Sequence, residues 1–148
     1  MKDDLMKLLN ELEKERDYHK IITVIEALSD EDKNSKIKLS LAKAYSHIDE
    51  FDKTIEILES IKDSESNTSI WNYCMGHSYY YLDDISEAER YLLKALEINP
   101  EDKPSIFLLL YYKLFYFYRL VYLLHFFSLL VKIRTRKILI GGLKWKMI

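Results

Sequence analysis

Cys74 and His77 stand three residues apart, a spacing that puts both on one side of a helix, and His47 lies upstream as a possible third donor. Such a trio could begin a metal site or a thiol–imidazole pair. One cysteine and four histidines in the whole chain are too few for a closed ligand set, and a single cysteine excludes a disulfide framework. Cys74 is therefore expected to be a small packing residue, with neither metal nor cofactor implied. The acidic pairs Asp83-Asp84 and Glu87/Glu89 could be considered as acid/base carboxylates. They fall at a helix start, where carboxylates favour the local dipole and sit beside water. No Ser/His/Asp arrangement, phosphate-binding loop or dinucleotide fingerprint is present. The chain reads as a non-enzyme.

The elements that would position these residues are helical. Among 148 residues there are only 3 Gly and 2 Pro, too little punctuation for a many-turned β-sandwich. Phe51, Thr54, Ile55, Leu58 and Ile61 recur at three and four residues, one apolar stripe, while Glu50, Lys53, Glu56 and Glu59 take the remaining circumference. Such stripes come in pairs, with short polar breaks near 16–17, 49–50 and 83–84, so each pair must fold back as an antiparallel hairpin. Between pairs lie polar linkers at 29–32, 63–67 and 99–102. Asn99 can end a helix there, and Pro100 cannot continue one.

The pairs repeat. A shift of 34 residues lays Ala42, Tyr45, Ile48, Phe51, Thr54, Leu58 and Ile61 on Gly76, Tyr79, Leu82, Ile85, Ala88, Leu92 and Ala95. A shift of 33 lays Leu9, Leu12, Tyr18, Ile21, Ile25 and Leu28 on residues 42 to 61 in the same order. Small residues at 42, 76, 88 and 95 permit axes about 8–10 Å apart, and Tyr45 and Tyr79 fill the groove between neighbours. One hairpin cannot bury its own stripe, so about three units are needed for a stable stack.

Met75-Gly76-x-x-Tyr79, Ala88-x-x-x-Leu92, Ala95 and Asn99-Pro100 resemble the tetratricopeptide repeat, and the overall cast is similar to that of small bacterial-type proteins of that family. The resemblance covers about two-thirds of the chain. Trp71 stands one place before the usual aromatic, the middle unit has Ser66 where Pro is usual, and the first unit lacks the Tyr. The resemblance implies an all-α fold of stacked helix-turn-helix repeats in a short right-handed solenoid, and the apolar run beyond it adds a hydrophobic C-terminal helix. Its units are a degenerate repeat over 1–34, repeats over 35–68 and 69–102, and a tail over 103–148. Ala42, Tyr45, Gly76, Tyr79, Ala88, Ala95 and Pro100 would be its packing positions. It further implies a concave groove, lined by the first helix of each unit, that binds a protein or peptide. Carried over by register, the groove holds Asn10 with Met6 and Lys14, then Lys43 and His47 with Lys36, Leu39 and Ser46, then Tyr73, His77, Tyr80 and Tyr81 with Ile70. This basic and aromatic row suits an acidic or aromatic partner. The Lys/Asn/Arg clamp by which some such arrays hold a terminal carboxylate is not reproduced, since only Asn10 falls at a matching place.

Charge divides the chain. Residues 1–104 carry 14 Lys and Arg against 24 Asp and Glu, whereas 105–148 carry 8 Lys and Arg and no acid. The acidic part excludes specific nucleic-acid binding, and the basic tail would attract anionic lipid or nucleic acid only nonspecifically. Residues 106–131 are long and apolar enough to span a bilayer. Their interruptions, Lys113, Arg119 and His125, are spaced six apart and so fall around the whole helix, defining no polar face. Three readings of the tail stand together: a membrane anchor, an aromatic cap packed on the repeats, or an out-of-frame tail, because Asp, Glu, Asn and Ala all vanish after residue 105. As an anchor it conflicts with the positive-inside tendency, since Lys132, Arg134, Arg136 and Lys137 follow the span. The N-terminus shows no secretory signal, so a cytoplasmic protein is expected, or one attached to a membrane through the C-terminal helix.

Overall fold

Among the described residues, three adopt left-handed backbone without being glycine: Arg16 (φ 60), Asp49 (φ 64) and Asp83 (φ 65). They are separated by the two repeat spacings, and each closes a helix with the same backbone bond five residues back. Asp17 N–H donates to Leu12 C=O at 3.0 Å, Glu50 to Tyr45 at 3.1 Å and Asp84 to Tyr79 at 2.9 Å. Asp tolerates this conformation better than most side chains. The linker caps are phased just as strictly. Asn34, Thr68 and Asp102 each accept a hydrogen bond from the backbone N–H three residues on, belonging to Ile37, Trp71 and Ser105, at 3.0, 3.3 and 3.1 Å.

This computed structural model describes residues 2–144, with side chains for 4–128 and 131. The described residues form eight α-helices: α1 (Lys2–Glu15), α2 (Tyr18–Glu26), α3 (Ser35–His47), α4 (Phe51–Ser60), α5 (Lys62–Glu65), α6 (Ser69–Tyr81), α7 (Ile85–Ile98) and α8 (Lys103–Lys144), with a 3-10 turn at Asp30–Asp32. The architecture is all-α with helices packed in pairs. Hairpins α1/α2, α3/α4 and α6/α7 stack in chain order. The stretch 63–67, expected as an open linker, instead begins with the helical turn α5. Nothing after Ile61 breaks a helix: the Ser64 and Glu65 N–H groups both donate to the Ile61 carbonyl.

Each core cluster is shared between neighbours, as a one-dimensional array requires. Leu9, Leu12, Ile21, Ile25 and Ile37 join the first two hairpins. Leu58, Ile61, Trp71, Met75 and Tyr91 join the second and third. Trp71, the residue out of step with the repeat pattern, is 1% exposed. Its Nε1–H donates to the Leu58 carbonyl at 2.9 Å, and its ring meets Tyr91 edge-on at 5.8 Å. Ala42, Ala88 and Ala95 are buried, Tyr79 stacks on Tyr91 at 5.6 Å, and Pro100 lies exposed in the turn after α7. Within the third hairpin, a Cβ on Gly76 would stand 2.7 Å from Leu92 Cγ and 3.1 Å from the Ala88 carbonyl oxygen.

The chain divides into two compact units, Met1–Leu109 and Leu110–Ile148. In the first, α8 begins in phase as the first helix of a fourth repeat, and Ser105, Leu108 and Leu109 are buried. In the second, the side chains from Leu110 to Ser128 are exposed apart from half-buried Tyr112. By length and composition the helix over Lys103–Ser128 could cross a membrane. The flank Lys132, Arg134, Arg136 and Lys137 lies outside the described side chains, and residues 145–148 of the tail lie outside the described residues altogether.

Gly76→Ala should lower the melting temperature in a circular-dichroism melt, although helix propensity alone would favour Ala by about 0.8–1 kcal/mol. Gly76→Leu should cost about 1–3 kcal/mol or more. Unchanged stability in both variants would show that α6 and α7 do not depend on this contact.

Candidate functional site

The common phase of the caps decides what faces the groove. Counting from Asn34 and Thr68, Leu39 and Tyr73, Lys43 and His77, Ser46 and Tyr80, and His47 and Tyr81 occupy equivalent places on α3 and α6. The two helices enclose a pocket of about 240 Å³. Lys43, Ser46 and His47 line it from α3, and Ile70, Tyr73, Cys74 and His77 from α6; Asp102 and Pro104 close the far end. Of the groove residues expected from sequence, Lys43, Ser46, His47, Ile70, Tyr73 and His77 thus meet at one cavity.

Asn10, Tyr80 and Tyr81 lie elsewhere. Asn10 lies in a separate shallow depression of about 380 Å³ with Glu13 and Lys14. Tyr80 is half-buried against the Leu92, Leu108 and Leu109 cluster. Tyr81 is 55% exposed and lies flat on Phe51, centroids 4.9 Å apart and planes 4° from parallel. The same device recurs one unit earlier, where His47 stacks on Tyr18 at 4.1 Å and 14°. In both, the last residue of a unit's first helix meets the first residue of the preceding unit's second helix. His47 and Tyr81 therefore serve the joint between hairpins as well as the groove.

Burial governs the chemistry of the pocket. His77 Nδ1 lies 2.9 Å from Ser46 Oγ, and its ring contacts Tyr73 at 5.6 Å and Tyr81 at 4.9 Å. Desolvation, reinforced by the nearby His47 and opposed by Asp49, pushes the His77 pKa down to about 4. The imidazole is neutral at physiological pH, with one ring nitrogen a donor and the other an acceptor. His47 also titrates below its ordinary range, first through burial and then through Lys43 and Arg16, with Glu13 acting in the opposite sense. Burial raises Tyr73 and Cys74 to about 12 each, so phenol and thiol both stay protonated. A buried protonated thiol is neither a nucleophile nor a metal ligand. No group of three or more His, Cys, Asp or Glu side chains among the described residues is arranged to hold a metal ion.

The cation expected in the groove is already answered: Lys43 forms an ion pair with Glu13 of α1. Glu13 was absent from the groove residues read from sequence. A shift of 33 places it on Ser46, itself a groove position, so the repeat register could have identified it. The candidate carboxylates have structural roles instead: Asp83 takes the left-handed turn, Asp84 caps α7 by accepting from Glu87 N–H at 3.2 Å, and Glu87 binds Arg90 Nε at 3.1 Å. Arg90 holds the Glu87 carboxyl below its usual range.

Residues 70–102 match the family described as tetratricopeptide repeat, a span that covers α6, α7 and the turn leading to α8. Compared with curated proteins, the chain matches none. A repeat of this kind implies a protein-interaction scaffold in general, and the family is usually non-catalytic.

The neutral His77 has a consequence for stability. Its folded pKa lies below the ordinary 6.5, so the unfolded chain binds the proton first. Stability should be complete above pH 6.5 and fall as the pH drops from there toward 4, by at most about 1.4 kcal/mol per pH unit from this group. Denaturant melts of the wild type and His77→Gln across that interval test it. The variant should have the flatter profile, and coincident profiles would exclude His77 as the source.

Proposed function

We propose that the repeats form a non-enzymatic interaction module, resident in the cytoplasm, that takes an apolar or aromatic side chain of a partner protein into the pocket between α3 and α6. The observation that carries this reading is the convergence of Lys43, His47, Tyr73 and His77 on one cavity in which His77 is neutral and Lys43 is already paired. The aromatic half of the expected partner chemistry suits it, because Tyr73 and a neutral His77 offer ring edges and faces. The acidic half has less support: Lys43 is held by Glu13, and the Asp102 carboxylate borders the same space.

Magnitude sets the scale of such binding. Burying one Leu or Phe side chain is worth about 1.5–3 kcal/mol, whereas micromolar affinity needs about 8. One anchor cannot suffice, so a partner must also run along neighbouring groove positions such as Leu39 and Ile70. Selection of phage-displayed peptides on the full chain should enrich sequences sharing an aromatic or large aliphatic anchor. Their affinity should fall at least about tenfold on Tyr73→Ser combined with Ile70→Glu, the worth of about 1.4 kcal/mol, with helical circular dichroism retained. Equal binding to the folded variant would remove the groove assignment.

A second reading is favoured by the second unit. A soluble helix keeps one face apolar and another polar, yet exposed Leu114, Phe115, Phe117, Leu120, Leu123 and Phe126 lie all around the helix, so no face is left polar. This pattern supports a membrane-attached scaffold anchored through residues 106–131. Arg119 would cost about 2.5–3.5 kcal/mol at mid-bilayer and less near an interface, against tenths of a kcal/mol gained per Leu, Ile, Phe or Val. Full-length protein should float with neutral lipid vesicles and resist carbonate extraction, while a chain ending at Leu109 should do neither. Recovery of the full-length protein in the soluble fraction would end this reading.

A further inference from the structure

Tyr45 and Tyr79 are repeat equivalents, yet their surroundings differ. On the side of α6 opposite the pocket, Tyr79 is stacked by Tyr91 of α7, centroids 5.6 Å apart and planes 3° from parallel. Tyr91 is 6% exposed, with Trp71 against its edge and Arg90 over its face at 4.1 Å. The ring closes the groove between the second and third hairpins.

One repeat earlier, Ile57 stands where Tyr91 would be. Among the described residues no second ring covers Tyr45; the Lys53 ammonium lies 5.1 Å from its centroid instead. A groove of about 420 Å³ stays open between the first two hairpins, floored by Leu41, Tyr45 and Ile57 and edged by Lys33, Lys38 and Lys53. The Tyr45 hydroxyl donates to Glu26, which fixes the ring by its far end. The next groove has Asn72 and Glu87 at the positions of Lys38 and Lys53. The open groove is therefore both emptier of rings and richer in lysine than its filled copy.

We propose that this groove is a second binding site, distinct from the pocket between α3 and α6, for a segment of a partner protein in which an aromatic side chain is flanked by carboxylates. The ring lies on Leu41 and Ile57 against Tyr45, as Tyr91 does against Tyr79. The flanking carboxylates draw Lys53 from above Tyr45 and meet Lys38. Lys33 and Lys53 exchange exposed partners, Asp30 at 3.1 Å and Glu50 at 3.4 Å, for the incoming acid. The Lys53–Glu50 pair is exposed on both sides and worth little, so its exchange costs little, whereas Lys33 is only 17% exposed. Glu56, also at the rim, would attract a cation and repel a carboxylate on its own side, so the acidic flanks must lie toward Lys38 and Lys53.

The test uses the full chain in a nonionic detergent and the peptide Ac-Asp-(4-fluoro-Phe)-Asp-NH2, followed by broadening of its fluorine resonance. Wild type should broaden the signal, and the Lys-flanked analogue should be broadened far less. Ile57→Tyr installs the ring that the next repeat already accommodates; it should keep helicity and weaken binding about twofold to tenfold, the worth of one ring stack. Should Ile57→Tyr not fold, the surface pair Lys38→Glu with Lys53→Glu carries the same expectation. Tyr73→Ser, in the other pocket, should leave the broadening unchanged. Broadening that is absent in wild type, equal for both peptides, or undiminished in the folded groove variants overturns the proposal; broadening lost only in Tyr73→Ser assigns the peptide to the first pocket and overturns it as well.

Discussion

The contact between Gly76 and the backbone of α7 is the constraint on which the third hairpin rests. With Leu92 and the Ala88 carbonyl so near, there is no room for even one methyl group without displacement. That proximity sets the α6/α7 spacing, and the spacing in turn lets Tyr79 and Tyr91 stack, while Trp71 separately ties α6 to the Leu58 carbonyl of α4. The second hairpin meets the requirement differently: Ala42 is fully buried, and Thr54, also fully buried, donates to the Ala42 carbonyl at 3.3 Å.

Repetition of caps and turns does the remaining positioning. Caps at 34, 68 and 102 and left-handed residues at 16, 49 and 83 give each helix the same start and each hairpin the same reversal. Side chains that are far apart in sequence thereby become neighbours at equivalent places. Burial then removes the charge those places suggest. His77 loses its proton to desolvation, Cys74 and Tyr73 keep theirs, and Lys43 is matched by Glu13. A row that looks basic in the sequence becomes an almost neutral pocket, better suited to a ring than to an anion.

The start of α8 obeys the register and its continuation does not. Asp102 caps it in phase, and Ser105, Leu108 and Leu109 reach the core of the first unit. Two positions forbid a fourth hairpin. Leu110 replaces the small residue found at 42 and 76, and Phe117 stands where Asp49 and Asp83 turn the chain. Asp, Asn and Gly, the residues that turn a chain most readily, are absent from 105 to 140, and the helix runs on to Lys144. Its exposed aromatic surface is what gives the membrane reading physical support.

Helix type, hairpin breaks, the 33- and 34-residue period and the family resemblance were legible in the amino-acid order, because each depends on residues close in sequence: stripes at three and four, polar breaks, small residues in phase. Trp71, one place out of step, and the helical turn α5 were not foreseen, since the first is accommodated by a carbonyl in the preceding hairpin and the second by the lack of any helix breaker after Ile61. The candidate site was half legible. Register placed Lys43, His47, Tyr73 and His77 on one surface, but only packing revealed that Tyr80 turns into a core cluster, that Asn10 lies in a different depression, and that Glu13 answers Lys43. What the sequence alone determined is the repeating unit, since periodicity and capping are local properties. What only the tertiary structure decided is which groove stays open and which charges survive there, because cavity shape and desolvation arise from residues that meet solely when hairpins stack.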